Sequence, residues 1–303
     1  MTQLSWIGLG NMGRGMVKNL VEKGNLDKPI IIYNRTKKRA DDLAAKLDQK
    51  VVVASTVEEA VQSSDVIFTC VGDDAAINDT IDTALKQNVK GKLFVDCSTV
   101  HPDTTDALGK RITEAGAEFV ASPVFGAPAM ADNGQLVCVL AGPKSSIERM
   151  KPYTENVIAR ANIEFPDQRY GHATLLKVIG NTFIVNMVET LAEGHTVAEK
   201  SGLGSANLHK FIETMFPGPY VAYSNRMQQG DYYKREEPLF AVDLARKDVG
   251  HALNLAKESG AKMRNLEAIE QHLVDVKEHQ GEKGDIAGIY GAVRKESGLN
   301  FEV

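Results

Sequence analysis

Residues 4–13 read "LSWIGLGNMG", an apolar run that breaks into three glycines at Gly8, Gly10 and Gly13. The stretch that follows, "NMGRGMVKNLVEKG" (11–24), repeats its apolar positions at helical spacing. G-x-G-x-x-G occurs often by chance, but a strand before it and a helix after it give it meaning. In that setting Gly8 permits a tight turn, Gly10 lets the backbone approach a pyrophosphate, and Gly13 lets helix and strand pack closely. The helix start adds N–H groups and a partial positive charge, both favourable to phosphate. Gly8, Gly10, Asn11, Met12 and Gly13 are therefore candidate contacts to a dinucleotide.

Outward from this turn the chain alternates between two periods. Short apolar runs stand at 4–10, 30–33, 51–54, 65–71, 93–98, 118–124 and 136–142. Helical stretches lie between most of them, at 12–23, 36–47, 57–63, 77–87 and 103–115. Strands alternating with helices predict βαβ units and a largely parallel sheet. The runs are apolar on both alternating sets of positions, as strands covered on both faces require. The pattern changes near residue 165, where "EFPDQRYG" reads as a connection. A long helix over 171–201 follows, apolar nearly all round, and Gly202 and Gly204 suit its stop. Stretches 206–229, 239–259 and 264–279 are helical in pattern. The expected fold is α/β: a doubly wound, mostly parallel Rossmann-type domain over 1–168, joined by a long helix to an all-helical domain over 169–303. A helix buried on so many sides suits a homodimer or higher homo-oligomer.

The 303 residues carry 43% apolar and 25% charged residues and a net charge of −5, an ordinary globular balance. Acidic character argues against a nucleic-acid partner. The most apolar stretch, 175–191, is broken by Lys177, Asn181, Asn186 and Glu189, which argues against a membrane span. The N-terminus shows no basic and apolar leader pattern, and Cys70, Cys97 and Cys138 sit in apolar runs without C-x-x-C spacing. These features predict reduced core cysteines and a cytoplasmic protein.

The second strand ends "IIIYNRTKK" (30–38). An NAD site of this kind usually places an acid roughly 20 residues beyond the glycines, to take the ribose hydroxyls. Here Asn34 falls at that position, followed by Arg35 and Thr36. With no carboxylate to repel it, a 2′-phosphate is tolerated, and Arg35 can grip it with a planar fork. NADP(H) is the expected cofactor, with Asn34, Arg35 and Thr36 as its contacts. Thr36 equally suits a helix N-cap, and Lys37 and Lys38 suit a solvated helix start.

Within "GHATLLKVIGN" (171–181), Lys177 and Asn181 stand four residues apart and share one helical face. With "GLGNMG", "NRT", "DCST" (96–99), "SPVFGAP" (122–128) and "RKDVGHAL" (246–253), this motif falls in the order seen in one family. The chain resembles the β-hydroxyacid dehydrogenases: 3-hydroxyisobutyrate dehydrogenases, semialdehyde reductases and relatives of 6-phosphogluconate dehydrogenase. The resemblance spans nearly the whole chain. It implies that Lys177 is the general acid/base, protonating a carbonyl oxygen in reduction and taking the hydroxyl proton in oxidation, and that Asn181 orients that oxygen. It implies that Val71, Thr99 and Lys247 contact the cofactor, with Ser98 beside the substrate. Asp248 reads either as a partner of the active-site helix or as a surface acid.

One motif departs from the family. The common D-A-P-V-S-G-G is "ASPVFGA" at 121–127, with Phe125 for the serine and Ala127 for the last glycine. In the family this loop holds the substrate carboxylate through the serine and backbone N–H groups, and backbone donors at 125–127 remain here. Pro123, Val124, Phe125, Gly126 and Ala127 are thus the candidate substrate loop, with its hydroxyl lost. A small carbonyl or hydroxyacid substrate is expected, its acid group placed in question by Phe125. "MFPGPYVAY" (215–223) offers Phe216, Tyr220 and Tyr223 either as pocket walls or as helix packing. Imine reductases and non-catalytic NADP-binding proteins share the implied architecture. The first usually carry Asp or Tyr where Lys177 stands, and the second tend to lose the lysine. No metal site is expected.

Overall fold

The computed structural model describes residues 1–48 and 50–303. The chain divides into two compact units, Met1–Lys177 and Val178–Val303.

Among the described residues of the first unit nine strands form one sheet: β1 (Leu4–Ile7), β2 (Ile30–Tyr33), β3 (Val51–Val53), β4 (Val66–Thr69), β5 (Leu93–Asp96), β6 (Glu118–Ala121), β7 (Val124–Phe125), β8 (Leu136–Gly142) and β9 (Ala159–Pro166). The order is β3-β2-β1-β4-β5-β6-β8-β7, with β9 on the other edge of β8. The first six strands run parallel, the doubly wound order whose switch point lies between β1 and β4. Helices α1 (Asn11–Lys23), α2 (Lys37–Lys46), α3 (Val57–Gln62), α4 (Asp74–Ala84), α5 (Pro102–Glu114), α6 (Pro128–Asn133) and α7 (Lys144–Thr154) connect them.

The apolar runs do not alternate because each strand feeds two cores. Trp6, Ile32, Phe68 and Val95 enter one cluster, while Ile7, Ile67, Phe94 and Phe119 enter another. Trp6 and Phe68 stack at 5.2 Å between ring centroids, fixing β1 against β4. Strand β9 falls where the sequence suggests only a connection. It alternates polar Arg160, Asn162 and Glu164 with Ala161, Ile163 and Phe165, but Ala161 and Ile163 are exposed while Asn162 and Glu164 are half-buried, so no apolar face marks it as a strand in the sequence.

Helix α8 (Gly171–Lys200) starts in the first unit. The Asp106 carboxylate accepts from the Gly171 N–H at 2.7 Å, and the Thr174 hydroxyl donates to that of Thr105 at 2.9 Å. These bonds tie the helix start to α5, so its first two turns pack with the sheet. The compact units part inside the helix, beyond the 168/169 division that sequence suggests. By length and composition α8 could cross a membrane, with a mean hydropathy of 1.3 over its best window, but 56% of that window is buried, as in a core helix.

The second unit continues α8 and adds α9 (Ser205–Met215), α10 (Pro219–Gln228), α11 (Asp231–Lys234), α12 (Val242–Ser259), α13 (Arg264–Gln280) and α14 (Ile289–Glu296). The stretch expected as one helix over 206–229 is two, because Gly218 takes a φ of +89° and Pro219 begins α10. The core here is Val185, Val188, Leu191, Ile269, Leu273, Ile286 and Tyr290 with their neighbours.

Candidate nucleotide and active site

The three glycines differ in what surrounds them. Gly8 has φ +102°, and a Cβ there would lie 2.2 Å from the Cys70 carbonyl oxygen. A Cβ at Gly13 would lie 2.2 Å from the Gly8 carbonyl oxygen. At Gly10 a Cβ would meet nothing within 4 Å. Two glycines are therefore demanded by the protein's own packing, and the third leaves open backbone at the start of α1. That start has no side-chain cap and no acid in its first turn. This arrangement fits a pyrophosphate: open backbone, unfilled capping position and no negative charge. Asn11 accepts from the Arg14 guanidinium at 2.5 Å, and Met12 packs on the core beneath the turn.

The turn is braced from below. Trp6 Nε1 donates to the Gly8 carbonyl at 2.9 Å. Asn34 Oδ1 accepts from the Leu9 N–H at 2.8 Å, and its Nδ2 donates to the Thr36 carbonyl at 3.0 Å. Asn34 thus locks the end of β2 to the glycine turn, a role invisible in the sequence because the partners lie 25 residues apart. Thr36 does take the N-cap position of α2, but its side chain makes no capping bond. Lys37 and Lys38 pair with Asp41 and Asp42 one turn on, each at 2.7 Å. Arg35 is exposed and, among the described residues, makes no hydrogen bond or ion pair.

Beyond β4 and β5 a buried carboxylate organises the next loop. Asp96 accepts from the hydroxyls of Thr69 and Ser98, both at 2.7 Å, and from the Ser98 N–H at 3.1 Å. Ser98 Oγ accepts in turn from the Val71 N–H at 3.0 Å. Val71, Ser98 and Thr99 are so gathered at the ends of adjacent strands, the edge at which ligands bind in open α/β sheets. Sequence reading gives Asp96 no role, although it opens the "DCST" motif.

The candidate substrate loop runs along β8. Val124 pairs with Cys138 and Phe125 with Val137, while the Pro123 carbonyl accepts from the Val139 N–H at 2.9 Å. Gly126, at φ +140°, turns the chain into α6, for which Ala127 is the N-cap. This geometry places Phe125 under the catalytic candidate: the Lys177 ammonium nitrogen stands 4.5 Å from the centre of the Phe125 ring, a cation–π distance. Lys177 is buried, with 8% of its surface exposed.

In the second unit, buried Asn181 donates through Nδ2 to Asp248 Oδ2 at 2.6 Å. Asp248 is itself buried on α12, and Lys247 Nζ stands 3.4 Å from its other oxygen. Of the two sequence readings of Asp248, the helix partner holds. Tyr220 and Tyr223 pack against the helical core, and Phe216 lies 5.2 Å from Tyr220 as part of an exposed aromatic group.

Two family models cover nearly the whole chain. The NAD-binding domain of 6-phosphogluconate dehydrogenase matches residues 3–164, and the NAD-binding model of NADP-dependent 3-hydroxyisobutyrate dehydrogenase matches residues 171–293. The chain is 38% identical to the NADH-dependent oxidoreductase ucdB of Aspergillus ustus, over 96% of this chain and 98% of that one. It is 28% identical to glyoxylate/succinic semialdehyde reductase 1 of Arabidopsis thaliana, over 86% and 88% of the two chains. The fold resembles 3-hydroxyisobutyrate dehydrogenase of Mycobacterium tuberculosis, solved with L-serine, at a TM-score of 0.79, with 97% and 99% coverage and 23% identity.

Proposed function

The chain belongs to the β-hydroxyacid dehydrogenase family, and on that premise we propose that it interconverts a carbonyl compound and its alcohol with NADP(H), using Lys177 as general acid/base. Membership carries the coarser statement: a nicotinamide-dependent oxidoreductase of the hydroxyacid dehydrogenase type. The observation that supports the finer one is Lys177, a buried ammonium on the helix start that is tied to the sheet. Burying a lysine without use is costly, so its retention in an apolar helix favours a chemical role. The bound nicotinamide supplies or accepts the hydride. Lys177 gives the developing alkoxide its proton in reduction and takes the hydroxyl proton in oxidation. Asn181, its amide fixed by Asp248, orients the substrate oxygen.

The choice of NADP(H) rests on the end of β2, where no acid stands and Arg35 is uncommitted. A second reading, NADH, is favoured by the name of the Aspergillus relative. Imine reduction is the less favoured chemistry because Lys177 is present. We also assign the exposed apolar side chains of Ile179 and Phe183, one turn apart on α8, to contact with a second copy in a homodimer.

The test is turnover by Lys177→Ala with NADPH, NADH, semialdehydes and cyclic imines. A loss of turnover of at least ~100-fold with cofactor affinity retained is expected. A near-normal kcat in the variant overturns the mechanism.

A further inference from the structure

We propose that Phe125 sets the substrate class: the group carried beside the reacting carbonyl is aromatic rather than a carboxylate. This rests on the carbonyl-reductase reading above and deepens it.

The side chains of the loop that would hold a carboxylate offer it nothing. From Pro123 to Ala129 the side chains are those of Pro, Val, Phe, Gly, Ala, Pro and Ala, with no hydroxyl, amide or cation among them. The preceding hydroxyl, Ser122, is fully buried beside the thiols of Cys97 and Cys138. A carboxylate brought here would lose its water without gaining a side-chain partner, a large penalty for a charged group. The Lys177 ammonium does not supply that partner, because it serves the carbonyl oxygen and lies over the Phe125 ring.

The ring is held in place. The β7–β8 pairing fixes the direction of Phe125, and Gly126 turns the chain out of β7 at φ +140°, where a Cβ would fall 2.6 Å from Leu136 Cδ2. One part of the ring packs on the apolar core that holds Phe119 and Ala121, and part of the residue stays exposed. An aryl substituent can stack on or abut that surface, the arrangement aromatic pairs prefer. Meanwhile the carbonyl carbon gains a hydride and its oxygen gains the Lys177 proton. The aldehyde becomes a primary alcohol as the reduced nicotinamide is oxidised.

The experiment compares succinic semialdehyde with 3-phenylpropanal, which replaces the terminal carboxylate by phenyl on the same two-carbon spacer. Wild-type enzyme is expected to favour 3-phenylpropanal in kcat/KM by at least ~10-fold, the scale on which a pocket discriminates by one group. Phe125→Ser, which restores a hydroxyl and removes the ring, is expected to move the ratio at least ~10-fold towards the acid. A wild-type ratio below about threefold or in favour of the semialdehyde overturns the proposal, as does a ratio unchanged in a Phe125→Ser protein that still binds cofactor. The wild-type ratio decides alone if that variant does not fold. If neither aldehyde is reduced with NADPH or NADH, the reductase reading itself fails and this one with it. If aldehydes are reduced but the acid is preferred, only the present inference fails.

Discussion

Removing the Arg35 guanidinium tests cofactor choice at a point where the structure separates three neighbouring cations. Lys37 and Lys38 are already neutralised by Asp41 and Asp42 at 2.7 Å, whereas Arg35 has no such partner among the described residues. A 2′-phosphate at the end of β2 would therefore draw its charge-assisted hydrogen bonds chiefly from Arg35. Such bonds contribute about 1.5–3 kcal/mol. At about 1.4 kcal/mol per tenfold, Arg35→Ala should weaken NADPH binding roughly 10- to 150-fold. NADH lacks the phosphate, and its affinity should stay within about twofold, a difference well below 1 kcal/mol. Lys37→Ala and Lys38→Ala remove cations from exposed helical pairs of small energetic weight, so their effect on NADPH should not exceed about fivefold. Titration calorimetry of all three variants with both cofactors measures these ratios. If wild-type protein binds NADH more tightly than NADPH, or Arg35→Ala weakens both equally, the assignment of the β2 end to a 2′-phosphate is wrong.

Two further outcomes follow from local geometry. Gly10→Ala meets no protein atom, so it should leave the melting temperature of the cofactor-free protein unchanged while weakening cofactor binding at least ~10-fold, whereas Gly13→Ala collides with the Gly8 carbonyl and should lower both. Unimpaired binding by Gly10→Ala would show that no pyrophosphate approaches there. The helical unit should lose stability at both ends of the pH range. The Glu189 carboxylate, 2.7 Å from His272, raises that imidazole to about 9, a gain of stability fully present below the unfolded value near 6.5 and lost as pH rises through 9. Burial, with His209 nearby, lowers His195 to about 4, so its contribution is present above 6.5 and lost as pH falls through 4. Thermal unfolding between pH 4 and 10 should show both limbs, and His272→Gln should flatten the alkaline one. An alkaline limb of equal slope in the variant would contradict the Glu189 pairing.

What the sequence makes legible are features set by neighbours in the chain. Glycine spacing, apolar runs and helical periodicity depend on residues within about one turn or strand of each other, and the parallel pairing of the first strands follows from their alternation with helices. Edge strand β9 escapes because its half-buried side is polar and its exposed side apolar, so no periodic apolar face marks it. The supports of the site escape for a different reason: they join distant positions. Asn34 reaches back 25 residues to Leu9, Thr69 reaches 27 to Asp96, and Asn181 reaches 67 to Asp248. Each is a short polar side chain of unremarkable type, and nothing local marks it as a brace.

Phe125 joins the two kinds of information. Its departure from the family motif is plain in the sequence, where it reads only as a missing hydroxyl. The β7–β8 register and the anchoring of α8 on α5 bring the ring to Lys177, the lysine proposed above to handle the proton. A cation–π contact attracts the ammonium that would deliver the proton, so on the reading proposed above Phe125 acts on the chemical step as well as on the choice of substrate. Replacing Phe125 by serine should therefore change two observables together, aldehyde preference and the rate of the reductive direction. A purely steric role would change the first alone.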